Sequence, residues 1–473
     1  MTAADLGGLL ERQRSAFIAE REAPLAVRAG RLERGLELLV GHEREFCEAL
    51  AADFGQRPAD ITRFADLLPS VLAFRDARRH LRRWMRPLRR SPGWPLLMPG
   101  IRARIVHQAL GVVGVISPWN FPVNLSFAPL AGILAAGNRC MIKPSELTPL
   151  TAALMQRLVA RYFAENEVAV VTGGRDVAEA FSQLPFDHLV FTGSTAVGRR
   201  VMAAAAANLV PVTLELGGKC PAIVGRSAAL ARAVDRIMLG KLVNAGQVCL
   251  APDHVYVARE MIDEFAKLAQ QWVARTYPEA QQDRDCTSII SEAHAQRIEA
   301  LLEDARSKGA SVITLGAARA PGSAERRVLQ PALVLGVTAE MRMMREEIFG
   351  PVLPLLPYDR IEDVIGEVNR RPAPLALYYF GRDADEERTV LARTISGGVT
   401  VNDIAMHFLS EALPFGGVGA SGMGAYHGEH GFRRFSHARA VLNQTPFDMA
   451  GLVGLRPPYG PRLRQSLRVL LRR

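Results

Sequence analysis

The sequence predicts an α/β protein organised around a doubly wound parallel sheet. Two observations carry that prediction. From about Gly111, short β-rich runs alternate with helical runs, as in a parallel sheet covered by helices. The run His188-Leu189-Val190-Phe191 then passes through a glycine turn, Thr192-Gly193-Ser194, towards an alanine-rich helix. Size adds a third: 473 residues exceed one ordinary core and imply two or three domains.

Taken in order, Met1 to about Arg83 reads as mostly helical. Leu88 to Gln108 is proline-rich and then alternates as Ile101-Arg102-Ala103-Arg104-Ile105-Val106, the pattern of an exposed hairpin that could add to a partner's sheet or to a separate small lobe. Gly111 to Ser117 is a strand that leads through Pro118-Trp119-Asn120-Phe121-Pro122 into an apolar helix ending near Ala136-Gly137. Strand Cys140 to Lys143 follows, then a helix capped by Thr148 and begun by Pro149. Val168 to Val171 is a strand stopped by Gly173-Gly174. A helix over Val177 to Gln183 precedes the strand His188 to Phe191, and the alanine-rich helix runs from Arg199 to Asn208. A second α/β region extends from Gly218 to about Gly398, with helices near Met261 to Arg275 and Ala293 to Lys308. Pro414 to Gly424 is a glycine-rich turn system.

Composition narrows the class. Hydrophobic residues make up 49% and charged residues 22%, the balance of an ordinary folded protein and not of a disordered or integral membrane one. No uninterrupted apolar run reaches the roughly 20 residues that cross a bilayer. Met1-Thr2-Ala3-Ala4-Asp5-Leu6 lacks the basic and then apolar signature of a secretory signal, so the expected location is cytoplasmic. The five cysteines are scattered without a CxxC pair or a Cys/His cluster, which points away from a disulfide framework and a zinc site. The net charge of +10 is concentrated in two arginine-rich stretches, Arg75 to Arg90 and Arg462 to Arg473. In the second, Leu463, Leu467 and Leu470 recur at helical spacing. The tail therefore reads either as a solvated helix packed on the body or as a basic amphipathic helix making peripheral contact with anionic lipid at the inner membrane surface. Neither stretch lies in a nucleic-acid reading module, and no nucleic acid partner is expected.

Residues with chemistry to offer gather in short strings. Cys249, in Asn244-Ala245-Gly246-Gln247-Val248-Cys249-Leu250-Ala251-Pro252, and Glu215, in Leu214-Glu215-Leu216-Gly217-Gly218-Lys219, supply a thiol and an acid. A thiolate attacks a carbonyl carbon, and a carboxylate activates the water that later releases the acyl group. Alone, a cysteine is more often a small buried apolar residue. Gly193-Ser194 offers backbone N–H groups and a helix dipole to a pyrophosphate, or is only a tight turn. Lys143 and Glu146, at the end of the second strand, suit the phosphate and ribose of a nucleotide, against the alternative of a solvated strand end. Asn120 carries an amide that can donate to an oxyanion or simply shape its loop. Gly417-Val418-Gly419-Ala420-Ser421-Gly422 formally matches the dinucleotide fingerprint G-x-G-x-x-G. It follows Leu413-Pro414-Phe415-Gly416 instead of a strand and opens no helix, so it is rejected.

Pro118-Trp119-Asn120-Phe121-Pro122, Lys143-Pro144-Ser145-Glu146, Phe191-Thr192-Gly193-Ser194, Leu214-Glu215-Leu216-Gly217-Gly218-Lys219, Gly246-Gln247-Val248-Cys249, Glu346-Glu347-Ile348-Phe349-Gly350-Pro351 and Pro414-Phe415-Gly416-Gly417 occur in one order along nearly the whole chain, to about Val441. With them the sequence resembles the aldehyde dehydrogenase superfamily. Ala251-Pro252-Asp253 and Ser421-Gly422-Met423-Gly424-Ala425-Tyr426-His427-Gly428 are similar to its short class 3 branch and the coniferyl aldehyde dehydrogenase relatives.

The resemblance implies an aldehyde dehydrogenase-like α/β fold in four parts. These are an atypical Rossmann NAD(P)-binding domain (1–87 and 107–217), an α/β catalytic domain (218–398), a small β bridging lobe for oligomerisation (88–106 and 399–445) and the basic tail (446–473). It also implies a homodimer joined through that lobe. Carried over residue by residue, Cys249 is the nucleophile, Glu215 the general base, and Asn120 with the Cys249 backbone N–H the oxyanion hole. Trp119, Lys143, Glu146, Gly193, Ser194, Glu347 and Phe349 fall at cofactor-binding positions. The implied cofactor is NAD, which Glu146 favours by repelling a 2′-phosphate, with NADP tolerated by class 3 relatives. The implied reaction is NAD(P)-dependent oxidation of an aldehyde to the carboxylic acid through a thiohemiacetal and a thioester, with no metal. Aromatic or cinnamyl aldehydes such as coniferyl aldehyde lead, and medium- or long-chain aliphatic aldehydes are the alternative. Two rivals end differently. One passes the acyl group to coenzyme A, against which Glu215 argues because a thiol acceptor needs no activated water. The other is a catalytically silent, membrane-associated binding protein.

Overall fold

The computed structural model describes residues 3–93, 100–277, 285–316, 327–445 and 448–471. Three sheets organise them. The first has six strands in the order Gly422–Met423, Val212–Leu216, His188–Gly193, Val112–Ile116, Arg139–Lys143 and Val168–Val170, parallel except at the Gly422–Met423 edge. Val112–Ile116 comes first in the chain yet lies inside the sheet. Two strands are added on one side of it, and the chain then returns to place His188–Gly193 on the other. That reversal opens a crevice at the carboxyl ends of the two central strands, where Ser117 to Asn120 and Gly193-Ser194 lie. Every residue of Val112–Ile116, Arg139–Lys143 and Val168–Val170 is buried. Helices on both faces demand this, and it explains why Val112–Ile116 and Val168–Val170 are continuously apolar and do not alternate.

The second sheet has seven strands in the order Ser311–Thr314, Ala332–Leu335, Val352–Tyr358, His254–Ala258, Pro221–Val224, Ala376–Phe380 and Gly398–Val401, antiparallel only where Ser311–Thr314 pairs. The third contains the expected hairpin, Leu88–Arg90 against Arg102–Ala109. It gains a strand that local reading did not supply, Ser436–Asn443, which runs antiparallel along Arg102–Ala109 from Ser436 opposite Ala109 to Asn443 opposite Arg102. Residues 94–99 of that hairpin lie outside the described residues. Gly422–Met423, from the same C-terminal region, joins the first sheet instead, with Gly422 opposite Glu215.

The helices fall close to their expected places, as Asn124–Ala136, Pro149–Tyr162, Arg175–Ser182, Thr195–Ala206, Ile262–Thr276 and Glu292–Ser307. Asn124–Ala136 stops at Gly137, whose left-handed backbone (φ 91°) is cheap only without a Cβ. Thr195–Ala206 begins four residues before the expected Arg199 because the Ser194 side chain caps it, accepting from the Val197 N–H at 3.4 Å.

One cap is corrected. Thr148 precedes Pro149–Tyr162 but its side chain makes no capping bond. Asp53, from helix Glu43–Phe54, accepts instead from the backbone N–H groups of Leu150 (3.0 Å) and Thr151 (2.8 Å). A charged acceptor is the stronger cap at a positive helix end, and this one arrives from a distant segment. The tail forms helix Pro461–Leu470 with no residue buried, while Arg472 and Arg473 lie outside the described residues. Among the described residues no helix is long and apolar enough to cross a membrane.

Candidate active site

Cys249 sits just beyond a strained loop. Asn244 (φ 51°), Ala245 (φ 54°) and Gly246 (φ 74°) all have left-handed backbone, a cost the surroundings must over-determine. A Cβ at Gly246 would collide with the Gly350 carbonyl oxygen, so this loop lies directly on the Glu346 to Pro351 segment. Gln247, buried, ties the loop down: its amide donates to the carbonyls of Asn244 and Ser288, both at 3.0 Å, and accepts from the Ile290 N–H at 2.9 Å. The Cys220 thiol donates to the Cys249 carbonyl at 3.3 Å and the Tyr378 hydroxyl to the Leu250 carbonyl at 2.6 Å. Cys249 itself is half-buried. Its thiol is pushed up to about 12, first by burial and then by the carboxylates of Glu347 and Glu215. One thiol and two acids therefore share a single field.

Glu215, 2% exposed, lies on the inner strand Val212–Leu216. Neither carboxylate oxygen has a hydrogen-bond partner among the described residues, and burial pushes its carboxyl well above the usual range. A carboxylate so placed is a stronger base than one in water. The glycine-rich run rejected as a fingerprint braces this strand: the Leu216 N–H donates to the Ser421 carbonyl at 3.0 Å. Asn120 is buried beside the thiol loop, its side-chain amide donating to the Gln247 carbonyl at 3.1 Å. That bond uses one of its two N–H groups.

A cleft of about 540 Å³ is lined by Trp119, Lys143, Glu146, Gly193, Ser194 and His294, among others. Lys143 is buried, with its ammonium donating to the Pro144 carbonyl at 2.7 Å and lying 3.8 Å from Glu146, which is half-exposed at the rim. Thr192 and Gly193 pair in register with Glu215 and Leu216, so the turn and the buried acid occupy adjacent strands. Glu347 and Phe349 approach from the second sheet. The Phe349 ring meets Trp119 edge-on at 5.4 Å, and Glu347 packs where a side chain on Gly217 would collide with it. Burial raises the Glu347 carboxyl to about 8.

Each residue singled out from sequence thus lies around the thiol or in the adjoining cleft. What holds them there is a set of residues to which the sequence motifs assign no role. Asp253, inside the quoted string Ala251-Pro252-Asp253, forms an ion pair with Lys219 and accepts from the Ile348 N–H at 2.8 Å, and Lys219 donates to the Met343 and Glu346 carbonyls. Those bonds place Glu347 and Phe349. Their signal lay in motifs already quoted. Arg57 and Asp66, buried and bonded to the Asn120 loop, had no motif to announce them.

A half-buried thiol beside a buried carboxylate, with a cleft at a topological switch point, is the arrangement of an α/β enzyme. The model of the aldehyde dehydrogenase family matches residues 1–441, and the chain belongs to that family. It is 49% identical over 464 residues to a probable coniferyl aldehyde dehydrogenase of Caulobacter vibrioides, covering 98% of this chain and 96% of the relative. A coniferyl aldehyde dehydrogenase of a Pseudomonas species is 48% identical over 470 residues, 99% and 97% of the two chains. Among solved structures, substrate-bound AldH of Staphylococcus aureus matches with a TM-score of 0.92 at 33% identity, over 99% of this chain and 100% of that one. The Mycobacterium tuberculosis aldehyde dehydrogenase complexed with NAD+ matches with a TM-score of 0.85 at 29% identity, over 95% and 92%.

Proposed function

We propose that this aldehyde dehydrogenase oxidises cinnamyl-type aromatic aldehydes, coniferyl aldehyde among them, to their carboxylic acids with NAD. The observation that carries the reaction is Glu215, buried and unpartnered among the described residues, in one electrostatic field with Cys249. Cys249, as thiolate, attacks the aldehyde carbon. The oxyanion that forms takes hydrogen bonds from Asn120 and the Cys249 backbone N–H. Hydride then leaves the thiohemiacetal, and Glu215 deprotonates the water that hydrolyses the thioester. Lys143 and Glu146 would hold the adenine-side ribose, Gly193 and Ser194 the pyrophosphate, and Trp119, Glu347 and Phe349 the nicotinamide end of a cofactor that supplies the hydride acceptor. Glu146 at the rim disfavours a 2′-phosphate, so NADP ranks second to NAD.

Similarity to two coniferyl aldehyde dehydrogenases over nearly the full length of both chains supports the substrate class. Cofactor reduction across a panel of aromatic and aliphatic aldehydes, run with each nicotinamide, tests it. The highest kcat/KM is expected for cinnamyl aldehydes with NAD, and a clear preference for aliphatic chains would overturn the substrate reading. Coenzyme A added to the assay should remain unconsumed.

The same proposal divides the chain into the cofactor, catalytic and bridging parts expected above, and joins two copies through the bridging lobe. Ser436–Asn443 supports this as an edge of its sheet, with a row of backbone groups available for pairing. The tail supports contact with anionic lipid on the cytoplasmic side of a membrane. Leu463, Leu467 and Leu470 share one face of helix Pro461–Leu470, while Arg464 and Arg468 lie on the other. Each arginine near such a surface contributes about 1 kcal/mol. Sedimentation with phosphatidylglycerol liposomes should carry down the full chain and leave behind a chain ending at Pro461. Equal sedimentation of the two would remove the tail from the account.

A further inference from the structure

We propose that the buried ion pair Arg57–Asp66 is a positioning device for Asn120, and that it sets the rate of the thiol's attack and the hydride step. The inference rests on the reading of Asn120 as the oxyanion donor. Both side chains are fully buried and meet at 2.6 Å. A buried pair is a poor way to gain stability, because removing two charges from water costs about as much as their attraction returns. What this pair does have is reach. Arg57 donates through its other terminal nitrogen to the backbone carbonyl of Asn120 at 2.8 Å. Asp66 turns its second oxygen to the backbone N–H groups of Val123 (3.1 Å) and Asn124 (3.0 Å), where helix Asn124–Ala136 begins. One ion pair thus grips the Asn120 to Asn124 loop at both ends.

The rest of the network agrees. The Arg57 guanidinium lies over the rings of Phe54, at 4.8 Å, and Phe121, at 5.2 Å, which fixes the plane of its fork. Ser70 donates to the Asp66 carbonyl at 2.7 Å. Asp66 itself sits in a π-helical turn, Thr62–Leu67, an irregularity that re-aims side chains and recurs at functional sites. From the far side the Asn244 amide donates to the same Asn120 carbonyl at 3.3 Å and to the Gln247 carbonyl at 3.3 Å. The pair is therefore connected through Asn120 to the thiol loop, and neither member touches the reacting atoms.

The test is the double variant Arg57→Met/Asp66→Asn. It removes both charges, and the new amide oxygen can still accept from Val123 and Asn124, so the grip on the Asn120 carbonyl is what is lost. Thermal unfolding is expected to change little, while the pre-steady-state rate of cofactor reduction falls about 10- to 100-fold, the penalty for a donor misplaced by about an ångström. The KM for NAD is expected within about twofold of wild type, because the cofactor cleft is not gripped by this pair. Added to Asn120→Ala, the double variant should cost nothing further. A wild-type fast phase in Arg57→Met/Asp66→Asn overturns the positioning role, and so do losses that multiply with Asn120→Ala. A wild-type fast phase in Asn120→Ala, which leaves the pair intact, overturns the oxyanion reading itself and this inference with it. Should the double variant fail to fold, Arg57→Lys keeps a charge opposite Asp66 without the two-pronged fork and carries the same expectation. Failure of both to fold would make the pair structural and overturn the proposal.

Discussion

Cys249→Ala is expected to remove aldehyde-dependent cofactor reduction, with turnover falling by on the order of 10⁵-fold or to background. The residue is small, half-buried and not part of a disulfide, so its replacement leaves a slight void in a loop held by Gln247, Cys220 and Tyr378. Thermal unfolding should therefore shift little. The effect is chemical: alanine cannot form the thiohemiacetal, and no second thiol is placed to replace it, because Cys220 beneath the loop is fully buried and spends its proton on the Cys249 carbonyl. Retained turnover with aldehyde and NAD would sink the assignment. The wild-type thiol adds a pH test. Burial and two carboxylates hold it at about 12, so the neutral thiol dominates near neutrality and the thiolate fraction grows with alkalinity. Alkylation of cofactor-free enzyme by iodoacetamide, located at Cys249 by peptide mapping, should quicken about tenfold per pH unit above about pH 7. A flat profile would mean that some group activates the thiol before cofactor binds.

Glu215→Gln is expected to split the reaction in two. Gln preserves the shape and the buried position on strand Val212–Leu216 but cannot take a proton from water. Attack and hydride departure precede the step Glu215 serves, so rapid mixing should show a burst of reduced cofactor approaching one per active site. Steady turnover should then run slower by about 10²- to 10⁴-fold. The thioester accumulates in the meantime and is visible as a mass increase on the peptide containing Cys249. An unchanged steady rate would point to another base, and Glu347, raised to about 8 in the same field, is the one geometry offers.

What was legible in the sequence follows from what is local. Strands such as Val112–Ile116 and Val168–Val170 are continuous apolar runs because both faces are buried, and such runs can be seen without knowing their neighbours. The proposed chemistry has its candidates in the sequence for a similar reason: a thiolate, a base and a phosphate turn each need particular residue types at short spacing. Apart from the early start of Thr195–Ala206, set by its own Ser194 cap, the differences are long-range. The Thr148 cap is supplanted by Asp53, whose approach depends on how helix Glu43–Phe54 packs. The pairing of Ser436–Asn443 with Arg102–Ala109 has no signal in the composition of either strand, and only the family resemblance put the two segments in one lobe.

By itself, then, the sequence determined the order of elements and the family, and it singled out the thiol, the acid and the amide that we propose as the catalytic groups. Hydrophobic periodicity and the demands of covalent chemistry act over a few residues and leave their mark in the chain. Only the tertiary structure decided how those groups stand to one another: Glu215 without a hydrogen-bond partner among the described residues, Cys249 in the field of two acids, and Asn120 gripped through its backbone by Arg57. Burial and hydrogen-bond partnership are properties of packing. They are settled when distant segments meet, and so no local pattern encodes them.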